Sequence, residues 1–437
     1  MTIASQTLRA RVARFIDHPK FVIRCFLAFV AIRLAFVLFL PVQPSSDASW
    51  YLARGIVLSE SGSYSQNGIP TAYWPVGYPA FLGLLFALTG PSLLAAKLAN
   101  LAFAACSFWL LYFVVRSLSG AERAARGALL LLTVYPNHIA YTPLILTELL
   151  FTMLFLAACM CLLGKRTTMY IVLAGILVGL ATLIKTQTIL IGPALAFVAY
   201  CDHWRWKVAL GAGIRAVVVG IVALLTIMPW SLRNYHVFGT FVLVSTNGGM
   251  ALLAGNNPSV VGDYRIIFSD NDPLVAQARF SVADQVGADK RAAALAVNWI
   301  LANPADFLSI VPKKVFWLWG PDGEAEWQYQ AGTIFYDDTV RWFRSARIVN
   351  QAYYVVVILL FFWAFFRLVK SRPSGLRPYF GYILAGLLTA LCIVFSGQSR
   401  YHFPVMPFAF AYVAWALTGM PRNCPNKPVT SLSCPTA

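Results

Sequence analysis

The chain has 437 residues, 59% of them hydrophobic, 14% aromatic and only 12% charged, with a mean hydropathy of +0.68. This excludes a soluble enzyme and points to an integral membrane protein, because several stretches reach the ~20 apolar residues that a hydrocarbon core requires of a helix. The formal charge of +17 does not indicate a nucleic-acid partner. No basic domain carries it, and the Lys and Arg residues lie between apolar segments as the positive-inside rule places them.

The eight cysteines do not form a disulfide framework. Cys25, Cys106, Cys159, Cys161, Cys201 and Cys392 lie in or beside apolar segments, and Cys424 and Cys434 in the tail. No His or Cys cluster has zinc spacing.

In chain order, residues 1–20 carry Arg9, Arg11, Arg14 and Lys20 and are expected to be a cytoplasmic tail. A first span, Phe21–Leu40, then places the outer stretch 41–79 on the far side. That stretch is polar, aromatic and Gly/Pro-punctuated, with Asp47 immediately after the span. From Asp47 to Leu58, Trp50, Tyr51, Ala53 and Val57 recur at helical spacing, which predicts a short helix in the headgroup layer. Trp74-Pro75-Val76-Gly77-Tyr78-Pro79 opens an apolar run, Ala80–Leu88, too short to cross and read as interfacial or re-entrant. Asp47 fits either a helix N-cap or a carboxylate held where a lipid-borne and a water-borne group react.

Further spans are expected at about Ser92–Val115, Ala125–Pro136, Leu144–Leu163, Tyr170–Ile184, Ile189–Tyr200 and Val208–Met228. They complete an N-terminal module, 21–229. Residues 230–347 are expected to form a small outer cap with strand-like and helical pieces. Trp299, Trp317, Trp319 and Trp327 would anchor it at the interface. Spans at about Tyr353–Phe366, Tyr379–Phe395 and Val405–Leu417 make up a C-terminal part, 348–419, before a disordered cytoplasmic tail, 420–437. In this topology only Asp17, Glu122 and Asp202 of the acidic residues lie inside, whereas the membrane-edge cations Lys97, Lys185, Arg233 and Arg400 point outward.

Several groups are candidates for chemistry. Glu148 lies one turn into the span expected at Leu144–Leu163, where a carboxylate needs a partner or a role. Arg233, in Pro229-Trp230-Ser231-Leu232-Arg233-Asn234-Tyr235, suits either snorkelling to headgroups or bidentate phosphate binding. Arg400, in Gly397-Gln398-Ser399-Arg400-Tyr401-His402-Phe403-Pro404, stands in a short outer turn against the positive-inside trend, and Lys185 does the same between two short spans. Together they suggest an anion site. The loops holding Asn247 (Ser245-Thr246-Asn247-Gly248-Gly249) and Asn256 (Gly255-Asn256-Asn257-Pro258) are turn chemistry first, and amide-rich enough to hold a sugar.

In this order the residues resemble family 39 of the GT-C polytopic glycosyltransferases, which includes protein O-mannosyltransferases and lipid A aminoarabinose transferases. The resemblance rests on Asp47 with Tyr51 and Ala53, the Pro75/Gly77-Tyr78-Pro79 corner, Thr147-Glu148, Pro229-Trp230 with Arg233-Asn234-Tyr235, and Arg400-Tyr401 with Pro404 and Pro407. It implies an all-α, GT-C-like bundle of about ten transmembrane helices, with interfacial helices in the first outer loop and a small outer cap. It implies a polyprenyl-phosphate sugar donor, an active site on the periplasmic or extracellular side of the inner (plasma) membrane, and transfer with inversion to an acceptor hydroxyl of a protein, lipid or glycan.

Asp47 would inherit the role of general base, with Glu148 as a second catalytic carboxylate. Arg233, Arg400, Lys185 and Lys97 would receive the leaving phosphate. Tyr51, Tyr78, Asn234, Tyr401, His402, Asn247 and Asn256 would hold substrate. The sequence departs from the family at Ala48, where members often carry a second acid, and at Trp74-Pro75-Val76, where many carry Lys-Pro-Pro. No cofactor and no metal site carries over; divalent-metal dependence stays open. Two other readings compete. An O-antigen polymerase or ligase would rely on arginines in the large outer loop. A flippase of a lipid-linked sugar would show paired halves and mid-membrane polar groups.

Overall fold

The computed structural model describes residues 14–260, 273–323, 325–332 and 336–419. The expectations for residues 1–13 and for the tail from 420 lie outside the described residues. What is described is almost wholly helical, with one two-stranded ribbon, Ser65–Gln66 (β1) paired antiparallel with Ile69–Pro70 (β2). The strand-like pieces expected between 230 and 347 do not form: where that segment is described it consists of helices joined by turns and irregular chain.

The first apolar run forms α1, Phe21–Phe39. It is followed by α2, Asp47–Ser61, and α3, Gly77–Thr89, the two helices expected of the first outer stretch. They form a tight hairpin: a Cβ on Gly55 would come within 2.6 Å of the Leu82 Cβ, so only glycine allows this approach. Next come α4 (Leu93–Ser119), α5 (Glu122–Thr133), α6 (Pro136–Tyr141), α7 (Glu148–Leu163), α8 (Thr168–Thr182), α9 (Thr188–Tyr200) and α10 (Trp206–Phe238). Gly175 and Gly179 of α8 lie against Val222 and Thr226 of α10, a small-residue seam of the kind that brings membrane helices together.

The expected end of a span at Met228 is not a helix end. α10 runs through Pro229 to Phe238 and stops at Gly239, whose φ of +65° closes the helix. The extra turns are held from outside the helix: Ser231 donates to Leu243 O, and Asn234 donates to Val242 O and Val244 O.

Beyond it lie α11 (Gly248–Gly255), α12 (Pro273–Ala278), α13 (Gln285–Ala302), α14 (Pro304–Trp319) and α15 (Ala325–Gly332). α13 and α14 meet at a bend of 107°. The boundary expected at 347 falls inside α16, unbroken from Tyr336 to Lys370, before α17 (Phe380–Val394) and α18 (Met406–Thr418).

Among the described residues, five helices are long and apolar enough to cross a membrane, or six if the bent pair counts as one span. The chain is a multi-pass membrane protein. The larger expected count depends on shorter helices crossing too: α7 to α9 have 16, 15 and 13 residues, about 20–24 Å at 1.5 Å per residue. The bundle centres on α18, buried from Met406 to Ala416, and on α7.

The two ends of the bundle differ in charge. At one end Asp17 pairs with Arg123, Glu122 with Arg116 and Arg126, and Asp202 with Arg166. The Arg377 guanidinium closes the same end on Ser117 O and Leu163 O. Asp47, Glu148, Lys185 and Arg400 belong to the opposite end.

Candidate active site

Asp47 is the first residue of α2 and not its cap. Ser46 takes that place with φ +46°, a left-handed value uncommon for a residue with a Cβ. Its carbonyl accepts from Trp50 N at 3.0 Å and Ser49 Oγ at 2.8 Å. Such strain is often stored next to reacting groups.

Asp47 Oδ2 accepts from Arg400 Nη1 at 2.9 Å, and both side chains are 18% exposed. Arg400 Nε donates to Gln398 Oε1 at 2.7 Å. On its other side Arg400 lies close enough to Glu148 to interact electrostatically. Glu148, 3% exposed, accepts from Lys185 Nζ at 3.1 Å. Charges therefore alternate from neighbour to neighbour: Asp47, Arg400, Glu148, Lys185. The Lys185 ammonium also lies 5.5 Å from the Phe151 ring centroid and 5.9 Å from that of Tyr401. Beside it a narrow apolar crevice runs between Phe155, Ile191, Leu384 and Leu388.

Tyr51, one turn along α2, is buried within reach of Asp47, Arg400 and Glu148; burial, helped by Asp47, raises its phenol well above the ordinary value. Its ring meets Tyr78 edge-on at 5.7 Å, and Tyr78 Oη donates to Asn100 Oδ1 at 3.3 Å. Tyr73 approaches Asp47 from the first outer stretch. Burial pushes its phenol up to about 12, with the Asp289 and Asp47 carboxylates adding to the shift, so it remains a neutral donor.

The other expected site residues are engaged elsewhere. Arg233 donates from Nη1 to Thr71 O and from Nη2 to Tyr64 O, each at 2.9 Å, and ties the first outer stretch to α10. Lys97 Nζ donates to Val42 O at 3.1 Å, steadying the main chain just before Asp47. Asn234 is buried on main-chain carbonyls. Asn247 stands just before α11, makes no side-chain capping bond to it, and accepts from Ser245 Oγ at 2.8 Å. Asn256 donates to Leu252 O and Val394 O and accepts from the buried Lys314 Nζ at 2.8 Å.

His402 is fully buried, stacked between Trp319 at 5.7 Å and Tyr354 at 4.9 Å. Its Nδ1 faces Leu318 O at 2.5 Å and its Nε2 faces Asp322 Oδ1 at 3.2 Å, anchoring the turn that presents Arg400. No group of three or more metal-ligating side chains occurs among the described residues.

Three groups escaped the sequence reading. Asp322 is buried and accepts from Tyr135 Oη, Asn137 Nδ2 and Asn350 Nδ2. Gln285 accepts at one oxygen from Thr71 Oγ1, Ala72 N and Thr246 Oγ1. Arg33, fully buried in α1, donates to His138 Nδ1 at 3.1 Å and to the carbonyls of Phe29, Leu132 and Thr133. Only Arg33 left a sequence signal, as a charge in the middle of an apolar span.

This fold is that of the GT-C glycosyltransferases, as the resemblance implied. The oligosaccharyltransferase of Archaeoglobus fulgidus, solved with zinc and sulfate, matches at a TM-score of 0.54 with 14% identity over 91% of this chain and 48% of that one. The archaeal oligosaccharyltransferase AglB from the same organism, in complex with an inhibitory peptide and a dolichol-phosphate, matches at 0.50 with 15% identity over 91% and 50%. The chain thus spans about half the length of these proteins. ArnT from Cupriavidus metallidurans, bound to undecaprenyl phosphate, overlaps at a TM-score of 0.41 with 14% identity over 90% and 76%. Residues 74–232 match the family described as dolichyl-phosphate-mannose-protein mannosyltransferase. That match includes Glu148 and Lys185 and leaves Asp47 and Arg400 outside. No curated protein sequence matches the chain.

Proposed function

We propose that this chain is a membrane glycosyltransferase that moves a sugar from a polyprenyl-phosphate donor to an acceptor hydroxyl, with inversion, on the non-cytoplasmic face of the inner (plasma) membrane. The observation that carries this reading is the Asp47–Arg400 pair beside the Glu148–Lys185 pair at the end of the bundle remote from the Asp17, Glu122 and Asp202 pairs. The mannosyltransferase-family match over 74–232 supports the reaction class.

In the reaction Asp47 takes the proton of the acceptor hydroxyl as that oxygen forms its bond to the anomeric carbon. The bond from that carbon to the lipid phosphate breaks on the opposite face, and the phosphate leaves with the electron pair. A positioned carboxylate of modest basicity suffices, since proton removal and attack proceed together. Arg400 and Lys185 supply positive charge to the departing phosphate. Tyr51 and Tyr73 offer neutral hydroxyls to the sugar. Arg233, Lys97, Asn234, Asn247, Asn256 and His402 hold these groups in place.

The test is turnover of a panel of radiolabelled polyprenyl-phosphate sugars by the full chain and by Asp47→Asn in nanodiscs, with membrane extract as acceptor. The reading stands if wild type releases polyprenyl phosphate from one donor and Asp47→Asn binds that donor without turning it over. It falls if the variant turns over like wild type, or if wild type only carries lipid-linked sugar across a bilayer.

A further inference from the structure

Asp322 lies in the connection after α14, and His402 lies two residues past Arg400 in the turn between α17 and α18. Both side chains are fully withdrawn from solvent. Their partners fix where the protons are. Leu318 O has no hydrogen to give, so its 2.5 Å contact with His402 Nδ1 requires an N–H at that nitrogen. A neutral ring would then aim the lone pair of Nε2 at Asp322 Oδ1, 3.2 Å away, so a proton must lie between those two atoms.

The surroundings of Asp322 decide which residue owns that proton. Oδ1 also accepts from Asn137 Nδ2 at 2.5 Å, and Oδ2 accepts from Tyr135 Oη at 2.9 Å and Asn350 Nδ2 at 3.3 Å. With His402 Nε2 these fill the lone-pair positions of an ionised carboxylate and leave no place for a carboxylic hydrogen. The proton belongs to the imidazole. The Trp319 and Tyr354 rings stack on it at interplanar angles of 11° and 19°, and such electron-rich faces favour a cation.

The pair reaches Arg400 through the turn. Gly397 packs against α14 so closely that a Cβ there would collide with Lys314 O, one helical turn before Leu318. The turn is therefore pinned to α14 on both sides of Arg400, by Gly397 at Lys314 and by His402 at Leu318. We propose that His402 is an imidazolium at neutral pH with Asp322 as its counter-ion, and that this buried ion pair holds Arg400 against Asp47. Asp322 is thus a positioning residue for sugar transfer, a role that rests on the function proposed for Arg400 above. Without the shared proton, Nε2 and Oδ1 repel each other and the turn carrying Arg400 shifts.

The first measurement is solid-state 15N NMR of the full chain in nanodiscs, labelled at histidine, at neutral pH. The His402 signals are identified by their loss in His402→Gln. Both ring nitrogens should carry hydrogen; one bare nitrogen overturns the proposal, whether or not the chain transfers sugar. The second is single-turnover release of polyprenyl phosphate. Asp322→Asn should slow it by about 10–100-fold, the scale of a small misplacement at a reacting centre. In the Arg400→Ala background the same change should cost nothing further, since no guanidinium is left to misplace. Equal losses in both backgrounds mean a structural lesion and overturn the positioning role. His402→Gln takes the place of Asp322→Asn if the latter does not fold. A doubly protonated ring in a chain that turns over no donor overturns the transfer reading and the positioning role with it, and leaves the ion pair standing.

Discussion

The guanidinium of Arg400 donates from Nη1 to Oδ2 of Asp47 at 2.9 Å, joining positions 353 residues apart. The carboxylate proposed as base is thus held by the cation proposed to receive the phosphate, and each fixes the other before substrate arrives. Arg400→Ala should lower kcat by about 10²–10³-fold, the range seen when one preorganised charge donor is lost. Arg400→Lys keeps the charge without the second bond to Gln398 and should fall between. Adding Asp47→Asn to Arg400→Ala should cost little more, because residues acting as a unit are not additive. Single-turnover release of polyprenyl phosphate measures all three.

Glu148 and Lys185 make a second test. With Glu148 at 3% and Lys185 at 10% exposure, Lys185→Met strands a buried carboxylate and should destabilise the protein by about 3–5 kcal/mol. The double variant Lys185→Met/Glu148→Gln should recover most of the lost melting temperature in detergent while remaining inactive. Recovery of activity together with stability would make the pair purely structural.

These two pairs mark what the sequence made legible and what it hid. Asp47 stood out as an acid directly after the first span, and Arg400 as a cation against the positive-inside trend. Glu148 and Lys185 were each conspicuous, but nothing local pairs residues 37 positions apart, one opening a helix and the other in a turn between two helices. Arg233 looked like a phosphate ligand because a membrane-edge arginine advertises charge; its partners are main-chain carbonyls, which leave no trace in side-chain chemistry. Asp322 and Gln285 were invisible for the opposite reason. In a long polar segment one Asp or Gln resembles the next, and only the fold shows which is buried.

Gln285 gives the third prediction. Its side chain joins the first outer stretch to the 244–249 loop through three accepted hydrogen bonds, and Nε2 donates to Pro70 O at 3.1 Å. Gln285→Ala leaves these partners unpaired and should cost about 2–4 kcal/mol. Amide exchange across residues 62–76 should rise well before that of α4 or α18.

Asp289 gives a prediction in pH. Its Oδ1 accepts from Gly249 N at 2.6 Å and Met250 N at 3.3 Å, and burial nonetheless raises its carboxyl above the ordinary value. The folded protein therefore holds this proton more tightly than the unfolded chain. The stability it contributes is full below the ordinary carboxyl pKa and is lost as pH rises through the folded value. Asp289→Asn keeps an oxygen for both amides and never ionises. Its melting temperature should draw level with wild type at acid pH and exceed it at neutral pH. A gap independent of pH would refute the assignment.

Arg33 has a consequence for how the chain is made. A central arginine opposes insertion of a helix by about 2.5–3.5 kcal/mol, and the apolar remainder of α1 must carry it into the bilayer. The groups that satisfy it across the helix boundary, Leu132 O, Thr133 O and His138 Nδ1, lie 99 to 105 residues downstream. At about 5–20 residues per second, roughly 5–20 s of synthesis pass before they exist. During that interval the guanidinium has, of its hydrogen-bond partners, only Phe29 O of its own helix. The ribosome must deliver α5 and α6 before α1 can close. The partners of Arg33 are thus available well before Arg400, the partner of Asp47, has been synthesised.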